Sequence, residues 1–132
     1  MLRNQLRGGE RDRMIVRLKR AYAPAEPSDG VRILVDRLWP RGLTRESARV
    51  DLWLKDIAPS NELRKWFNHD PKRWRSFRTK YFREIDSCPD ALAALLEHVR
   101  KGPVTLVYAA REERYNDAVA LNEYLTSRRK KS

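Results

Sequence analysis

An aspartate, two arginines and an indole stand close together at Asp36, Arg37, Trp39 and Arg41, directly behind the apolar run Val31, Ile33, Leu34 and Val35. Arginine forks hold carboxylate or phosphate through paired hydrogen bonds. Asp36 could orient one of those arginines or act as a general base, which makes it the candidate catalytic residue. The competing account is an Asp–Arg pair that ties the turn to the body of the fold. A second set, Lys55, Ser60 and Arg64, surrounds an expected helix start. Free N–H groups, a helix dipole and nearby cations make an anion site in form, with plain capping by Ser60 as the alternative. A third set, Tyr108, Arg111 and Asn116, follows the apolar run Val104–Tyr108 and could complete a ligand shell, unless Asn116 only caps the helix behind it. Of the four tryptophans, Trp39 and Trp53 lie in or near loops and are the better ligand-facing candidates.

From Arg64 to Arg83 there are eight Arg/Lys and one acid, Asp70, interleaved with Trp66, Phe67, Trp74, Phe77 and Tyr81. Basic side chains among aromatic rings are how single strands are bound, with bases stacked on the rings. Lys72, Arg75 and Arg78, with the basic ends, are the candidate nucleic-acid contacts. The alternative is an ordinary amphipathic helix, because Trp74, Phe77, Tyr81 and Ile85 recur at three- and four-residue spacing. The motifs also argue against several classes. No Gly-rich phosphate loop supports a nucleotide-binding fold of the Walker or dinucleotide type. His69 and His98 are far apart in sequence and unaccompanied by cysteine, so no metal and no cofactor is expected. Cys88 stands at an expected helix start, which could lower its pKa, but an ordinary thiol is the simpler account.

The 132 residues suffice for one domain with one core. Hydrophobic residues make up 41% and charged residues 36% of the chain, and no apolar run approaches a membrane span. The polar, arginine-rich start lacks the apolar core of a secretory signal. One cysteine cannot form an internal disulfide, so a cytoplasmic location is expected. The net charge of +11 is unevenly placed. Residues 1–20 carry seven Arg/Lys and two acids, and residues 128–131 are all basic. Charge at the ends of a chain serves solubility and nonspecific adhesion to polyanions.

These residues need elements to position them. Residues 1–13 read as a disordered basic extension and 128–132 as a basic tail, leaving 14–127 as the domain. Met14–Arg20 alternates as a first strand, and Val31–Asp36 is a second, closed by a turn at Trp39–Gly42. Thr44–Arg49 reads as a short helical turn. Residues 50–57 alternate as a third strand or an extended arm. Ser60 opens a helix to about Phe67. Asp70 and Pro71 open the next. Ser87 or Cys88 caps a further helix with the stripe Leu92, Leu95, Leu96 and Val99, stopped by Gly102. Val104–Tyr108 is a buried strand, and a last helix starts near Asn116. Apolar strands separated by helices indicate an α/β domain: one compact unit, with a small, at least partly parallel sheet and helices packed on it. Ligands in such sheets sit beyond the carboxyl ends of the strands.

Three blocks carry a family resemblance: residues 32–42 (RILVDRLWPRG), residues 53–60 (WLKDIAPS) with 63–69 (LRKWFNH), and residues 105–110 (TLVYAA) with 116–119 (NDAV). The chain resembles the YeaO-like bacterial proteins over roughly residues 14–126. Arg111 stands where that family usually has lysine. The resemblance implies a small cytoplasmic α/β domain and carries no reaction with it. The expectation from the residues is that a small anionic, phosphate- or carboxylate-bearing ligand binds at the strand ends, with processing of it by Asp36 as an extension. The alternative is a nucleic-acid-binding or regulatory protein using the basic helices of residues 64–83.

Overall fold

The computed structural model describes residues 15–131, with side chains through Arg128. The expected extension at residues 1–13 lies outside the described residues. Four strands, β1 (Val16–Arg20), β2 (Val31–Leu34), β3 (Leu52–Trp53) and β4 (Val104–Tyr108), form one sheet in the order β1-β4-β2-β3. Every pairing is parallel, so the sheet is fully parallel. β4, the last strand in sequence, sits between the first two. All five of its residues are buried, as expected of a central parallel strand covered on both faces.

The pleat sorts the sheet residues onto two faces. Ile33, Val35, Val104 and Leu106 join the main core with the helices α2 (Asn61–Phe67), α3 (Trp74–Asp86), α4 (Pro89–Lys101) and α5 (Asp117–Lys131). Leu34 and Val107 point the other way, with Ala21, and are covered by Trp39, Leu43, Val50 and Trp53 from the loops. The helical face is aromatic. Phe77, Tyr81 and Ile85 of α3 are buried, and the Tyr81 hydroxyl donates to the Ile57 carbonyl at 2.7 Å. This stripe is therefore core.

Residues 50–57 split into the two-residue β3 and a 3-10 turn at Lys55–Ile57, rather than one long strand. A short helix α1 (Arg45–Ala48) precedes them, capped by the Thr44 side chain. Asp70 accepts from the Lys72 N–H as a cap should, but Pro71–Arg73 is a 3-10 turn leading into α3. Cys88 holds the N-cap position of α4 without a side-chain cap bond, and Ser87 instead donates to the Glu84 carbonyl. α5 runs on to Lys131, through the basic run that the sequence sets apart as a tail. Among the described residues no helix is long and apolar enough to cross a membrane.

One polar cluster holds the loop that returns the chain from β1 to β2. Asp29 is buried there, bridged to Lys19 at 3.0 Å and to buried Arg32 at 2.7 Å. Arg32 also donates to the Arg49 and Ala48 carbonyls, and Thr105 donates to the Asp29 carbonyl. Gly30 follows at φ +65°, where an added Cβ would lie 2.2 Å from the Pro103 carbonyl oxygen. Only glycine fits so close an approach.

Candidate functional site

β2 ends at Leu34, and the Val35 N–H still donates to the Val107 carbonyl of β4. The next residue is Asp36. Its Oδ2 accepts the Ala109 N–H at 2.8 Å, from the first residue beyond β4. Asp36 therefore bridges the carboxyl ends of two neighbouring parallel strands, the usual location of a ligand crevice. Its carbonyl accepts the Trp53 indole N–H at 2.7 Å. Trp53 meets Trp39 edge-on at 5.4 Å, and the Trp39 indole donates to the Leu43 carbonyl at 2.6 Å. The two indoles thus fix the backbone on either side of the Arg37–Arg41 turn.

A cavity of about 670 Å³ opens beyond these strand ends. Buried Pro40, Phe67 and Phe77 and half-buried Trp39 give it apolar walls. Phe67 is held by stacking on Phe77, with centroids 4.3 Å apart. The exposed cations Arg41, Arg64 and Lys65 line it, with exposed His69 beside them. His69 follows Asn68, the left-handed C-cap of α2, and both are left-handed, at φ 55° and 47°. Two consecutive non-glycine residues in that region are uncommon. They turn the chain sharply between α2 and α3 at the cavity, where the His69 ring lies 6.2 Å from Phe67.

The polar part of the cavity is a pair of carboxyls. Asp117, the first residue of α5, hydrogen-bonds to Asp36, and both line the cavity. A carboxyl–carboxyl hydrogen bond needs a proton, and two like charges at that range cannot both ionise freely. Desolvation, then the field of Asp36, pushes Asp117 well above the usual carboxylate range. Desolvation also raises Asp36, against the hydrogen bonds from Asp117 and the Ala109 N–H and the positive fields of His69 and Arg64. Burial, then the nearby Asp117 and Asp36, keeps the Tyr81 phenol protonated far into the alkaline range. With one of its two carboxyls protonated, the pair can both accept and donate.

The structure brings together Asp36, Arg37, Trp39, Arg41, Arg64 and Asn116 of the residues picked from sequence. Their roles differ. Arg37 donates to the Pro59 and Ala58 carbonyls at 3.0 and 3.2 Å, so it ties the turn to the segment before α2, and no ion pair joins it to Asp36 among the described residues. Asn116 is spent on capping: its Oδ1 accepts the Val119 N–H and its Nδ2 donates to the Glu112 carbonyl. Trp53 supports the site from behind. Tyr108 is buried in the main core beside Asn116, and exposed Arg111 stands outside the cavity lining.

Lys55, Ser60 and Arg64 do not form a joint anion site. The carboxylate at that helix start belongs to the protein: Glu84 accepts from the Ser60 hydroxyl at 2.6 Å and from its N–H at 2.8 Å. Ser60 in turn caps the Leu63 N–H. Lys55 lies over the Trp53 ring at 4.2 Å. On the basic helices, Lys72 and Arg75 are exposed, whereas Arg78 pairs with Glu123 at 3.0 Å.

Asp117 and His69 were not singled out as site residues from sequence. Nothing local in the sequence marks Asp117, and only the sheet order brings it to Asp36. The left-handed backbone of His69 is invisible in the residue type. The signal that was available is topological: the first acidic residue of the helix after β4 should lie near the residue that ends β2.

Residues 15–132 match the family described as "Inactive DUF488-N3 subclade". The chain is 42% identical over 114 residues to the uncharacterized protein YeaO of Escherichia coli K12, covering 86% of this chain and 99% of that one. It is 41% identical over 113 residues to the uncharacterized proteins Mb3100c of Mycobacterium bovis and Rv3073c of Mycobacterium tuberculosis H37Rv, covering 86% of this chain and 95% of each. No solved structure matches. The parallel sheet, the strand-end motif at residues 32–42 and these likenesses lead to one identification: the chain belongs to the inactive DUF488-N3 subclade, the family of YeaO-like proteins.

Proposed function

We propose that the cavity beyond β2 and β4 binds a small ligand bearing a phosphate or carboxylate. The observation that carries this reading is the set Arg41, Arg64 and Lys65: all three are exposed, line one apolar-walled cavity, and make no ion pair among the described residues. A volume of about 670 Å³ suits a drug-sized ligand. The word "inactive" in the family's description favours binding without turnover, with Asp36 and Asp117 as recognition groups. The test is a thermal-shift screen of the full chain against phosphates and carboxylates. A ligand at 100 times its dissociation constant adds about 2.7 kcal/mol of stability. Arg41→Ala and Arg64→Ala should each remove most of that shift, and a shift that survives both places the site elsewhere. We also propose a cytoplasmic location, supported by the single cysteine.

The nucleic-acid reading has an observation of its own. Trp66 is 36% exposed, and Arg73 and Lys80 each lie 5.1 Å from its ring centre. In this reading single-stranded oligonucleotides bind with an affinity that falls steeply with salt. Joint replacement of Lys72 and Arg75 by alanine then lowers both the affinity and its salt slope. An unchanged slope would sink it.

A further inference from the structure

We infer that the ligand of this cavity is a nucleotide, its base edge on the Asp36–Asp117 pair and its phosphate on Arg41, Arg64 and Lys65. This rests on the anion-binding reading of the same cavity and narrows it to one chemical class. Four features of the cavity carry it together.

The first is the polarity of its two parts. Asp36 and Asp117 both line the cavity and offer it carboxyl acceptor lone pairs. No ion pair reaches either carboxyl among the described residues. An anionic group is repelled there and drawn to the exposed cations instead. The ligand must therefore bring hydrogen-bond donors to the pair. The second feature is the wall. Trp39, Phe67, Phe77 and Tyr22 line the cavity with aromatic rings, which favour a flat partner. The third is size, since a volume of about 670 Å³ leaves room for a ring, a sugar and a phosphate in sequence. The fourth is rigidity: Asp36 is fixed by the Ala109 N–H at 2.8 Å and the cavity face of Phe67 by its stack on Phe77, so the base edge meets a preformed surface.

Simpler ligands fit less well. A free amino acid has an ammonium for the pair, but its carboxylate is held beside the same carbon and would share the repulsion. A sugar phosphate has hydroxyl donors but no flat apolar face for the rings. A base with an exocyclic amino group offers N–H donors at the edge of a planar ring, and carboxylates read such edges. A free nucleotide and the terminal nucleotide of a nucleic acid share this chemistry.

Calorimetric titration of the full chain with ribose 5-phosphate, AMP, GMP, CMP and UMP tests it. AMP, GMP and CMP should bind at least about tenfold more tightly than ribose 5-phosphate, the discrimination expected of a good edge contact. UMP, whose N–H lies between two carbonyls, should stay with ribose 5-phosphate. Asp36→Asn and Asp117→Asn should each collapse that ratio towards one, whereas Arg64→Ala should weaken all phosphate-bearing ligands alike and leave the ratio. Carboxyl-carbon NMR of the unmodified protein is a check that needs no variant: AMP should shift the titration of the pair, and inorganic phosphate should not. Equal affinity for AMP and ribose 5-phosphate would overturn this inference while the anion site stands. Failure of every phosphate-bearing compound to bind would overturn both. A 5′-phosphorylated trinucleotide that binds more tightly than AMP identifies a nucleic-acid end as the source, and equal affinity identifies the free nucleotide.

Discussion

Asp117 and Asp29 are two acids whose environments act in opposite directions. In the unfolded chain Asp117 would ionise near 3.8, the ordinary value of an aspartate, and folding raises it well above that, through desolvation and then the field of Asp36. Its protonated form is favoured in the fold. That contribution is complete below about pH 4 and is lost as pH rises through the raised value. Asp117→Asn keeps a donor without the charge. It should flatten the decline, so its melting temperature relative to the parent should be higher at about pH 8 than at about pH 4. Equal offsets at both pH values would refute the shared proton. For Asp29 desolvation works against ionisation, but the Glu26 N–H, Lys19 and Arg32 together hold the carboxyl below 3.8. Its contribution is present at neutral pH and lost as pH falls through the lowered value. Asp29→Asn leaves the buried Arg32 guanidinium without its carboxylate and should cost about 3–5 kcal/mol, read by urea unfolding. A loss below about 1 kcal/mol would mean that the two carbonyls on Arg32 suffice.

At the scale of elements, two features of the sequence specify positions sharply. Gly30 must pass the Pro103 carbonyl in a left-handed conformation, so Gly30→Ala should lower stability by more than about 1 kcal/mol and shift the β1–β2 return loop. A neutral substitution would mean that the loop gives way freely. α3 carries the stripe that holds the cavity wall. Phe77→Ala removes the stacking partner of Phe67 and should cost about 3–5 kcal/mol. Because Phe77 also lines the cavity, that variant should lose ligand-induced stabilisation as well. The helix spacing of Trp74, Phe77, Tyr81 and Ile85 was legible because a 3.6-residue repeat is a local property. The extent of β3 was not. Alternation over residues 50–57 describes an extended chain equally well whether two residues pair or eight, and the partner strand decides.

At the scale of the whole molecule, the charge of +11 and the cavity are separable. Adhesion to polyanions through the exposed cations should fall steeply between low and physiological salt, in proportion to the phosphates contacted. Binding of a ligand with one phosphate in the cavity should change far less, since the salt slope follows the number of phosphates neutralised. Fluorescence titration at two salt concentrations tells them apart, and equal salt slopes would mean that the cavity plays no part. The amino-acid sequence by itself determined the α/β class, the strands at Val31 and Val104, the helices that follow Ser60 and Pro71, and the cluster behind β2 that includes Asp36 and Arg41. Each of these follows from local periodicity, capping and turn chemistry. Only the tertiary structure decided that β4 lies between β1 and β2, because strand order depends on contacts between residues far apart in the chain. That order sets Asp117 against Asp36 across 81 positions of sequence. Packing of α3 on α2 gives the Ser60 helix start to Glu84, and Arg64 and Lys65 line the cavity. Chemistry that needs two distant side chains at hydrogen-bonding range is written in the packing, and no local pattern reports it.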